Sequence, residues 1–239
     1  MKGKHGKKQI NNYTFYCLII FCLLMIYLFF RVKHIDSQIK QYPSWIDPTL
    51  ASVLHKKANI PLWYKMWEVL YQRGNYITWS MVEKDLDILI DKIKAQPVQF
   101  DAIVGIKSGG AILTKYIATK LNLPYYYVKL SDADYKCKKN PSDTFKYVFN
   151  YYLFKKEKKY MVCEPIKTDI SHQNILLFDE LILTGGTLVS TINYLLKEKK
   201  VNQVVPATIF SKKDSYSGYK PLYIKKCLYD GIWPWGYDN

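Results

Sequence analysis

The sequence predicts an α/β fold, in which a mainly parallel central sheet of about five strands carries helices on both faces. Apolar runs with the length and composition of strands recur at 100–106, 125–130, 175–178, 204–210 and 222–229. Helical patterns at 111–121 and 188–199 separate some of these runs. This alternation is typical of β-α-β units, whose ligands bind beyond the carboxyl ends of the strands. A small hood would come from the terminal segments.

The N-terminal region has the pattern of a membrane anchor. Residues 13–30 contain no charged side chain, and this length lies near the lower limit for a helix that spans a bilayer. A cleaved signal peptide is disfavoured because no small-residue cleavage site follows, and a buried core helix because no polar face interrupts the run. We predict a basic tail at 1–12, a single transmembrane helix at 13–30, a linker at 31–50 and a folded domain at 51–239.

Composition favours anionic partners. The chain of 239 residues has a formal net charge of +15, and the basic excess persists beyond residue 40. Phosphates, nucleic acid and an anionic membrane surface are all compatible with that charge. The five cysteines are odd in number and lack C-x-x-C spacing, so neither a disulfide framework nor a zinc site is predicted.

Two helices are predicted ahead of the first strand. Residues 51–73 are helical in part, with apolar side chains at helical spacing: Leu62, Trp63, Met66, Trp67, Leu70 and Tyr71. That face would pack on the domain or, as an alternative, lie on a membrane surface. The next helix begins near Thr78 or Ser80, because Ser80 and Glu83 have the spacing of a capping box, and Pro97 ends it.

The stretch 174–187 carries the chemistry. Asp179 and Glu180 follow the apolar run 175–178, and the segment 184–187 (Thr-Gly-Gly-Thr) then opens a helix. Unpaired N–H groups at a helix start bind phosphate, and neighbouring carboxylates suit a diol or a hydrated Mg²⁺ ion. The pattern therefore indicates a ribose-phosphate site. An ordinary strand–turn–helix with solvated acids is the alternative.

This stretch resembles the binding motif for phosphoribosyl diphosphate (PRPP) of the type I phosphoribosyltransferases: an apolar strand, two acids, a short interval, then Thr-Gly-x-Thr. The resemblance implies Mg²⁺-dependent transfer of a 5-phosphoribosyl group between PRPP and a nucleobase, with release of pyrophosphate. Asp179 and Glu180 would be the catalytic acids that hold the ribose hydroxyls and Mg²⁺. The 5′-phosphate would be bound by Thr184, Gly185, Gly186 and Thr187.

The same resemblance extends to the first strand–helix turn. Lys107, Ser108 and Gly109 occupy the position of the family's pyrophosphate-binding loop, in the expected order ahead of the acids. A glycine pair there lets the backbone approach diphosphate oxygens, and the lysine supplies charge. In the family, the interval 131–173 holds a loop that closes over the reacting centre.

The C-terminal third is nearest to the hypoxanthine and xanthine-guanine (purine) branch. Segment 207–212 resembles the strand that ends in a base-binding lysine, which would be Lys212. Segment 230–235 resembles the terminal aromatic segment whose aromatic residue stacks on the purine. Asp230 stands at that position here, and Tyr229 precedes it, so Tyr229 is the candidate for stacking.

Leu183 departs from the purine pattern, which usually has an aspartate there to act on the base N7 proton. Two rival functions therefore stay open: a non-catalytic PRPP- or nucleotide-binding regulator, and a basic nucleic-acid-binding protein. No recognised nucleic-acid module is present, so no specific nucleic-acid partner is expected. The expected partners are PRPP, a nucleobase, the membrane and, as an open alternative, a second copy in a homodimer. Positive-inside counting favours a cytoplasmic N-terminus, but PRPP is cytosolic in the resembling enzymes, so we expect a cytosolic domain.

Overall fold

The computed structural model describes residues 12–39, 43–46, 61–71, 77–107, 109–132 and 160–226. They fall into two compact units. The first contains the described residues up to 39 and from 61 to 78. The second contains residues 43–46 and the described residues from 79 to 226, and it holds the sheet.

The first unit pairs two helices, α1 (Asn12–Ile39) and α2 (Leu62–Tyr71). Its buried core consists of side chains from both helices: Leu28, Val32, Ile35, Met66 and Val69. An ion pair joins the same helices, with Lys65 Nζ 2.8 Å from the Asp36 carboxylate. The side chain of Lys65 is only 8% exposed, so the paired carboxylate compensates the loss of water around its charge.

Helix α1 extends well beyond the predicted span of 13–30. Residues 31–39, expected to begin a polar linker, continue the helix because Val32 and Ile35 bury themselves against α2. Side chains 17–27 are exposed, and the stretch Phe15–Ser37 has a mean hydropathy of 2.4. Among the described helices, α1 is thus long and apolar enough to cross a membrane, a test that signal sequences also pass.

The second unit is a six-stranded sheet in the order β3-β2-β1-β4-β5-β6. Of these six strands, β3 alone runs antiparallel to its neighbour; the adjacent pairs from β2 to β6 are parallel. The strands are β1 (Ala102–Ile106), β2 (Tyr125–Asp132), β3 (Tyr160–Glu164), β4 (Asn174–Ile182), β5 (Gln203–Ser211) and β6 (Leu222–Lys226). The helices are α3 (Trp79–Lys94), α4 (Gly109–Leu121) and α5 (Gly186–Lys197). The predicted α/β class is confirmed.

Both faces of the sheet centre are covered. All five residues of β1 are buried, although successive side chains of a strand point to opposite faces. On one face, alternate residues of β1 and β4 pack with Leu188, Ile192 and Leu195 of α5. Burial on both faces explains why β1 and β4 are continuous apolar runs without polar alternation.

Three local features differ from expectation. Strand β4 continues through the acidic pair to Ile182, because β5 pairs with it to that point. Helix α3 begins at Trp79, so Thr78, one of the two predicted starts, directly precedes the helix, whereas Ser80 of the predicted capping box lies inside it. Cys163 in β3 is disulfide-bonded, whereas no disulfide framework was predicted. The aromatic run 147–152, whose pattern favours a strand or a hairpin arm, lies outside the described residues.

Candidate functional site

The two acids of β4 occupy different environments. Asp179 is buried at 7% exposure, and its Oδ1 accepts a 3.1 Å hydrogen bond from the Glu180 backbone N–H. Burial, and secondly the neighbouring Glu180 charge, hold the pKa of the Asp179 carboxyl well above its usual range. Glu180 is half-buried. Although adjacent residues of a strand start towards opposite faces, the two carboxyl groups converge: their side chains share a hydrogen bond, and Asp179 Oδ1 and Glu180 Oε2 lie 3.1 and 3.2 Å from the position of a Cβ on Gly110.

Glu180 reaches across to the start of α4. Its Oε1 accepts a 3.1 Å hydrogen bond from the backbone N–H of Gly109, which belongs to the predicted pyrophosphate loop. A Cβ on Gly109 would lie 2.5 Å from Oε1, and a Cβ on Gly110 would lie 3.1 Å from Asp179 Oδ1. The glycine pair thus lets the acids lie directly against the α4 backbone. Ser108 lies outside the described residues.

This meeting point is the topological switch point of the sheet. From β1 the chain proceeds to β2 and β3 on one side, and β4 then begins the other side with β5 and β6. Both β1 and β4 end at the same edge, since they are parallel neighbours. Crevices at such points are the usual ligand sites of open α/β sheets.

The glycine turn at 184–187 forms a left-handed entry to α5. Gly185 has φ 81°, a conformation that other residues adopt at a cost, and it is the N-cap of the helix. A glycine cap offers no side chain to the first helical N–H groups. Thr184 Oγ1 accepts only a long 3.5 Å hydrogen bond from Gly186. The start of the helix can therefore receive an anion.

Two tyrosine rings, not anticipated from the sequence, flank this turn. A Cβ on Gly185 would overlap ring atoms of Tyr216, which is 4% exposed. A Cβ on Gly186 would lie 2.5 Å from Tyr160 Cε2 at the start of β3. The adjacent glycines were the available signal, because they indicate close approach by something, but nothing in the local pattern identifies the neighbour as a distant tyrosine.

Lys107 lies directly after β1 and is exposed. Its Nζ forms an ion pair with Glu164 Oε2 of β3, and Lys129 Nζ of β2 lies 3.1 Å from Glu164 Oε1. Hydrogen bonds from Lys107 and then Lys129 lower the pKa of Glu164. A single carboxylate thus bridges two lysines at the strand edge expected to bind pyrophosphate, a contact that the sequence did not indicate.

Comparison with known proteins decides the family. The phosphoribosyl transferase domain model matches residues 73–238, more than half of the chain. The protein belongs to this family. The match spans the sheet, both glycine turns and the acidic pair.

Individual relatives are distant. An adenine phosphoribosyltransferase of Ureaplasma parvum is 30% identical over 123 residues, which cover 51% of this chain and 62% of that protein. An orotate phosphoribosyltransferase of Staphylothermus marinus is 25% identical over 115 residues, 48% of this chain and 43% of that protein. The chain thus spans less than two thirds of these relatives' lengths.

Among solved structures, a purine phosphoribosyltransferase of Pyrococcus horikoshii superposes with a TM-score of 0.52 at 19% identity. The match covers 69% of this chain and 94% of that one. At this identity the likeness concerns the fold, and it supports the type I phosphoribosyltransferase architecture.

The two predicted base-binding residues have different outcomes. Lys212 is exposed directly after β5, and its backbone N–H donates a 3.0 Å hydrogen bond to the Ile182 carbonyl. Because β4 and β5 are adjacent, this places Lys212 beside the segment that leads into the glycine turn. Leu183, half-buried, begins that segment. Tyr229 lies outside the described residues.

The acidic pair fits a metal that is shared with a ligand. Within the described part of the chain, no group of three or more His, Cys, Asp and Glu side chains could hold a metal ion by itself. Mg²⁺ is usually bound through one or two carboxylates, with waters and substrate phosphates completing its shell. Asp179 and Glu180 supply that number of carboxylates.

Proposed function

We propose that the protein transfers a 5-phosphoribosyl group between PRPP and a nucleobase, with purines favoured, in a Mg²⁺-dependent reaction that releases pyrophosphate. The observation that supports this proposal most directly is the hydrogen bond between Glu180 and the backbone of Gly109 at the topological switch point of the sheet. It joins the acids and the predicted pyrophosphate loop in one crevice, and the start of α5, which has no side-chain cap, follows the same strand, β4. These observations support three neighbouring subsites for one substrate.

Each subsite has a distinct chemical task. Backbone N–H groups of Thr184, Gly185, Gly186 and Thr187 hold the 5′-phosphate at the helix start, where the macrodipole favours negative charge. Asp179 and Glu180 accept hydrogen bonds from the ribose hydroxyls and stabilise the positive charge that develops on the ribose ring. Lys107, Ser108 and Gly109 hold the pyrophosphate as it leaves. When bound, Mg²⁺ would be held by Asp179 and Glu180 and would neutralise pyrophosphate charge.

Two observations support a purine. Lys212 follows β5 at the position where the resembling enzymes bind the exocyclic oxygen of the base. The similar proteins include adenine and purine phosphoribosyltransferases, although an orotate enzyme also matches. Tyr229 is proposed to stack on the base. Leu183 cannot act on a base proton as an aspartate would, so transfer would rely on positioning and electrostatics.

The second candidate is a regulator that binds PRPP or a nucleotide without turnover. Leu183 favours it, because acid–base help contributes about 10²–10⁴-fold to such reactions and a leucine supplies none.

A base panel separates the two candidates. The full-length chain, purified in mild detergent, would be given PRPP, Mg²⁺ and, in turn, hypoxanthine, guanine, xanthine, adenine and orotate, with pyrophosphate release as the readout. The variant that carries Asp179→Asn and Glu180→Gln is the control for contaminating activity. Base-dependent release in the parent chain alone supports the transferase. PRPP binding without release from any base contradicts it and favours the regulator.

The membrane arrangement is a further part of the proposal. We propose that residues 13–30 of α1 cross a bilayer once and that residues 51–239 form a cytosolic domain, either monomeric or as a homodimer. PRPP supply supports the cytosolic side, whereas the disulfide at Cys163 favours an oxidising one. Protease treatment of intact and permeabilised cells decides on which side of the membrane the domain lies. Cleavage only after permeabilisation supports a cytosolic domain, whereas cleavage in intact cells places the domain outside.

A further inference from the structure

Tyr216 is a buried tyrosine whose hydroxyl joins two segments that the proposed function treats separately. The hydroxyl donates a 2.7 Å hydrogen bond to the Ile182 carbonyl, at the end of β4 just before the glycine turn. It accepts a 3.0 Å hydrogen bond from the Lys213 backbone N–H and lies 3.1 Å from Ser211 Oγ. One hydroxyl therefore binds both the strand that leads to the phosphate turn and the segment that carries Lys212.

The ring of Tyr216 supports the phosphate turn. A Cβ on Gly185 would overlap this ring, so the turn rests on it at van der Waals contact. The ring and the hydroxyl thus act on different elements: the ring on the Gly185 turn, the hydroxyl on segment 211–213. Hydroxyl removal and ring removal should have separable effects.

Tyr216 is itself held in place by a tight hairpin. Tyr216 and Tyr219 exchange two 2.9 Å backbone hydrogen bonds. The two residues between them, Ser217 and Gly218, have φ 49° and 88°, the positive values of a two-residue hairpin turn. The turn fixes the backbone of Tyr216, and burial of the ring together with the hydroxyl's hydrogen bonds restrains its side chain, so Tyr216 can serve as a fixed spacer.

We propose that Tyr216 is a positioning residue that sets the distance between the 5′-phosphate turn and Lys212, and so determines how well a base is bound once the sugar phosphate is seated. This inference rests on the proposed function for the roles of the two subsites. Tyr216 touches neither ligand in this account. It acts through the Ile182 carbonyl, which also receives the Lys212 N–H.

The effect of removing the hydroxyl follows from its partners. In Tyr216→Phe, the Lys213 N–H loses its acceptor, while the ring still supports Gly185. An unsatisfied, part-buried donor and a loosened segment should weaken base recognition by about tenfold. Affinity for ribose 5-phosphate, which occupies only the turn and the acids, should change by less than about twofold.

The test compares two kinds of ligand on the full-length chain in mild detergent. Dissociation constants are measured by calorimetry for ribose 5-phosphate and for AMP, GMP and orotidine 5′-monophosphate, and the tightest nucleotide reports base recognition. Tyr216→Phe should lower the affinity for that nucleotide about tenfold and leave the affinity for ribose 5-phosphate unchanged. Tyr219→Phe, a hydroxyl deletion in the same hairpin, should change neither.

A double-mutant cycle tests the route through Lys212. Lys212→Gln and Tyr216→Phe should each lower the affinity for the nucleotide. The double variant should bind it no more weakly than the weaker-binding single variant does, because both changes act on one contact. The inference would be overturned if the two losses of nucleotide affinity were fully additive. It would also be overturned if Tyr216→Phe lowered the affinity for ribose 5-phosphate equally, or left the dissociation constant of the nucleotide unchanged. A parent chain in which no nucleotide binds more tightly than ribose 5-phosphate would overturn it as well.

Turnover, measured in parallel, separates this inference from the proposed function. A parent chain that transfers no base, yet shows the selective nucleotide loss in Tyr216→Phe, refutes the transferase and retains the role of Tyr216. A parent chain that transfers a base with the same KM for that base in Tyr216→Phe retains the transferase and refutes the role.

Discussion

Glu180 accepts a hydrogen bond from the backbone N–H of Gly109, a residue 71 positions earlier in the chain, at 3.1 Å. An acid of the proposed ribose subsite therefore accepts from an N–H of the proposed pyrophosphate subsite. A ligand that needs both groups must separate them. Under the proposed function, the contact would couple ligand binding at the two subsites.

The acidic pair is expected to dominate sugar recognition. The variant with Asp179→Asn and Glu180→Gln should bind ribose 5-phosphate with Mg²⁺ about tenfold more weakly or worse, because two charged acceptors are lost. Its folding should be preserved, since the amide oxygen of the introduced glutamine can still accept from Gly109. Calorimetric titration measures the affinity. Asp169→Asn, which changes an exposed acceptor for the Ser171 N–H, is the control. Unchanged affinity in the double variant would remove the basis for the ribose subsite.

A pair of glycine substitutions isolates the contact with Tyr216. Gly185 and Gly218 have nearly equal positive φ values, 81° and 88°, but of the two only Gly185 has atoms within 4 Å of the position that a Cβ would occupy. Gly218→Ala should lower the free energy of unfolding by about 1 kcal/mol through backbone strain. Gly185→Ala should lower it by about 2 kcal/mol more through overlap with the ring.

Thermal unfolding of both variants measures this difference. Gly185→Ala should also lose affinity for ribose 5-phosphate, whereas Gly218→Ala should keep it. Equal melting temperatures in the two variants would show that the ring does not constrain the turn.

Glu164 is expected to compete with pyrophosphate for Lys107. In Glu164→Gln both lysines lose their carboxylate partner, so pyrophosphate should bind about twofold to fivefold more tightly at low salt, with a smaller gain at high salt. Stability should change little, because the side chains of this ion pair are 40% and 47% exposed. Glu198→Gln, at the opposite end of α5 from the phosphate turn, is the matched charge control. Weaker pyrophosphate binding in Glu164→Gln would mean that Glu164 orients the lysines for the ligand.

Asp179 is expected to make the ligand-free protein less stable as pH rises. Its pKa is raised in the folded state, so the folded protein holds this proton more tightly than the unfolded chain does. Stability contributed by the protonated form is present below the unfolded value of 3.8 and is lost as pH rises through the folded pKa.

Asp179→Asn removes this dependence. Without Mg²⁺ or ligand, the variant should be more stable than the parent chain at neutral pH, and the difference should shrink towards about pH 4 as the parent Asp179 becomes protonated. Urea unfolding across this pH range measures the effect. A parent chain more stable than Asp179→Asn at neutral pH would mean that the buried carboxylate has a compensating partner.

The fold class, which the structure confirms, and the candidate site, which stays a prediction, could both be inferred from the sequence because both depend on local order along the chain. Burial on two faces requires continuous apolar strands, which marks β1 and β4 in the sequence. A phosphate at a helix start requires small residues and a strand just ahead, which marks 184–187. The position of Lys107 before a glycine pair follows the same logic. The roles of all the candidate site residues remain predictions, and Tyr229 and Ser108 in addition lie outside the described residues.

The tertiary structure alone decided what the local pattern leaves open. Sequence order places Glu164, Tyr160 and Tyr216 far from the motifs, and only strand pairing and the hairpin at 216–219 bring them to Lys107, Gly186 and Gly185. Helix α1 likewise continues past residue 30 because α2 covers Val32 and Ile35. The sequence by itself determined which backbone segments could hold phosphate and sugar, since local spacing governs strands, turns and helix starts. The folded chain determined which side chains support or neutralise those segments, since such contacts depend on residues distant along the chain.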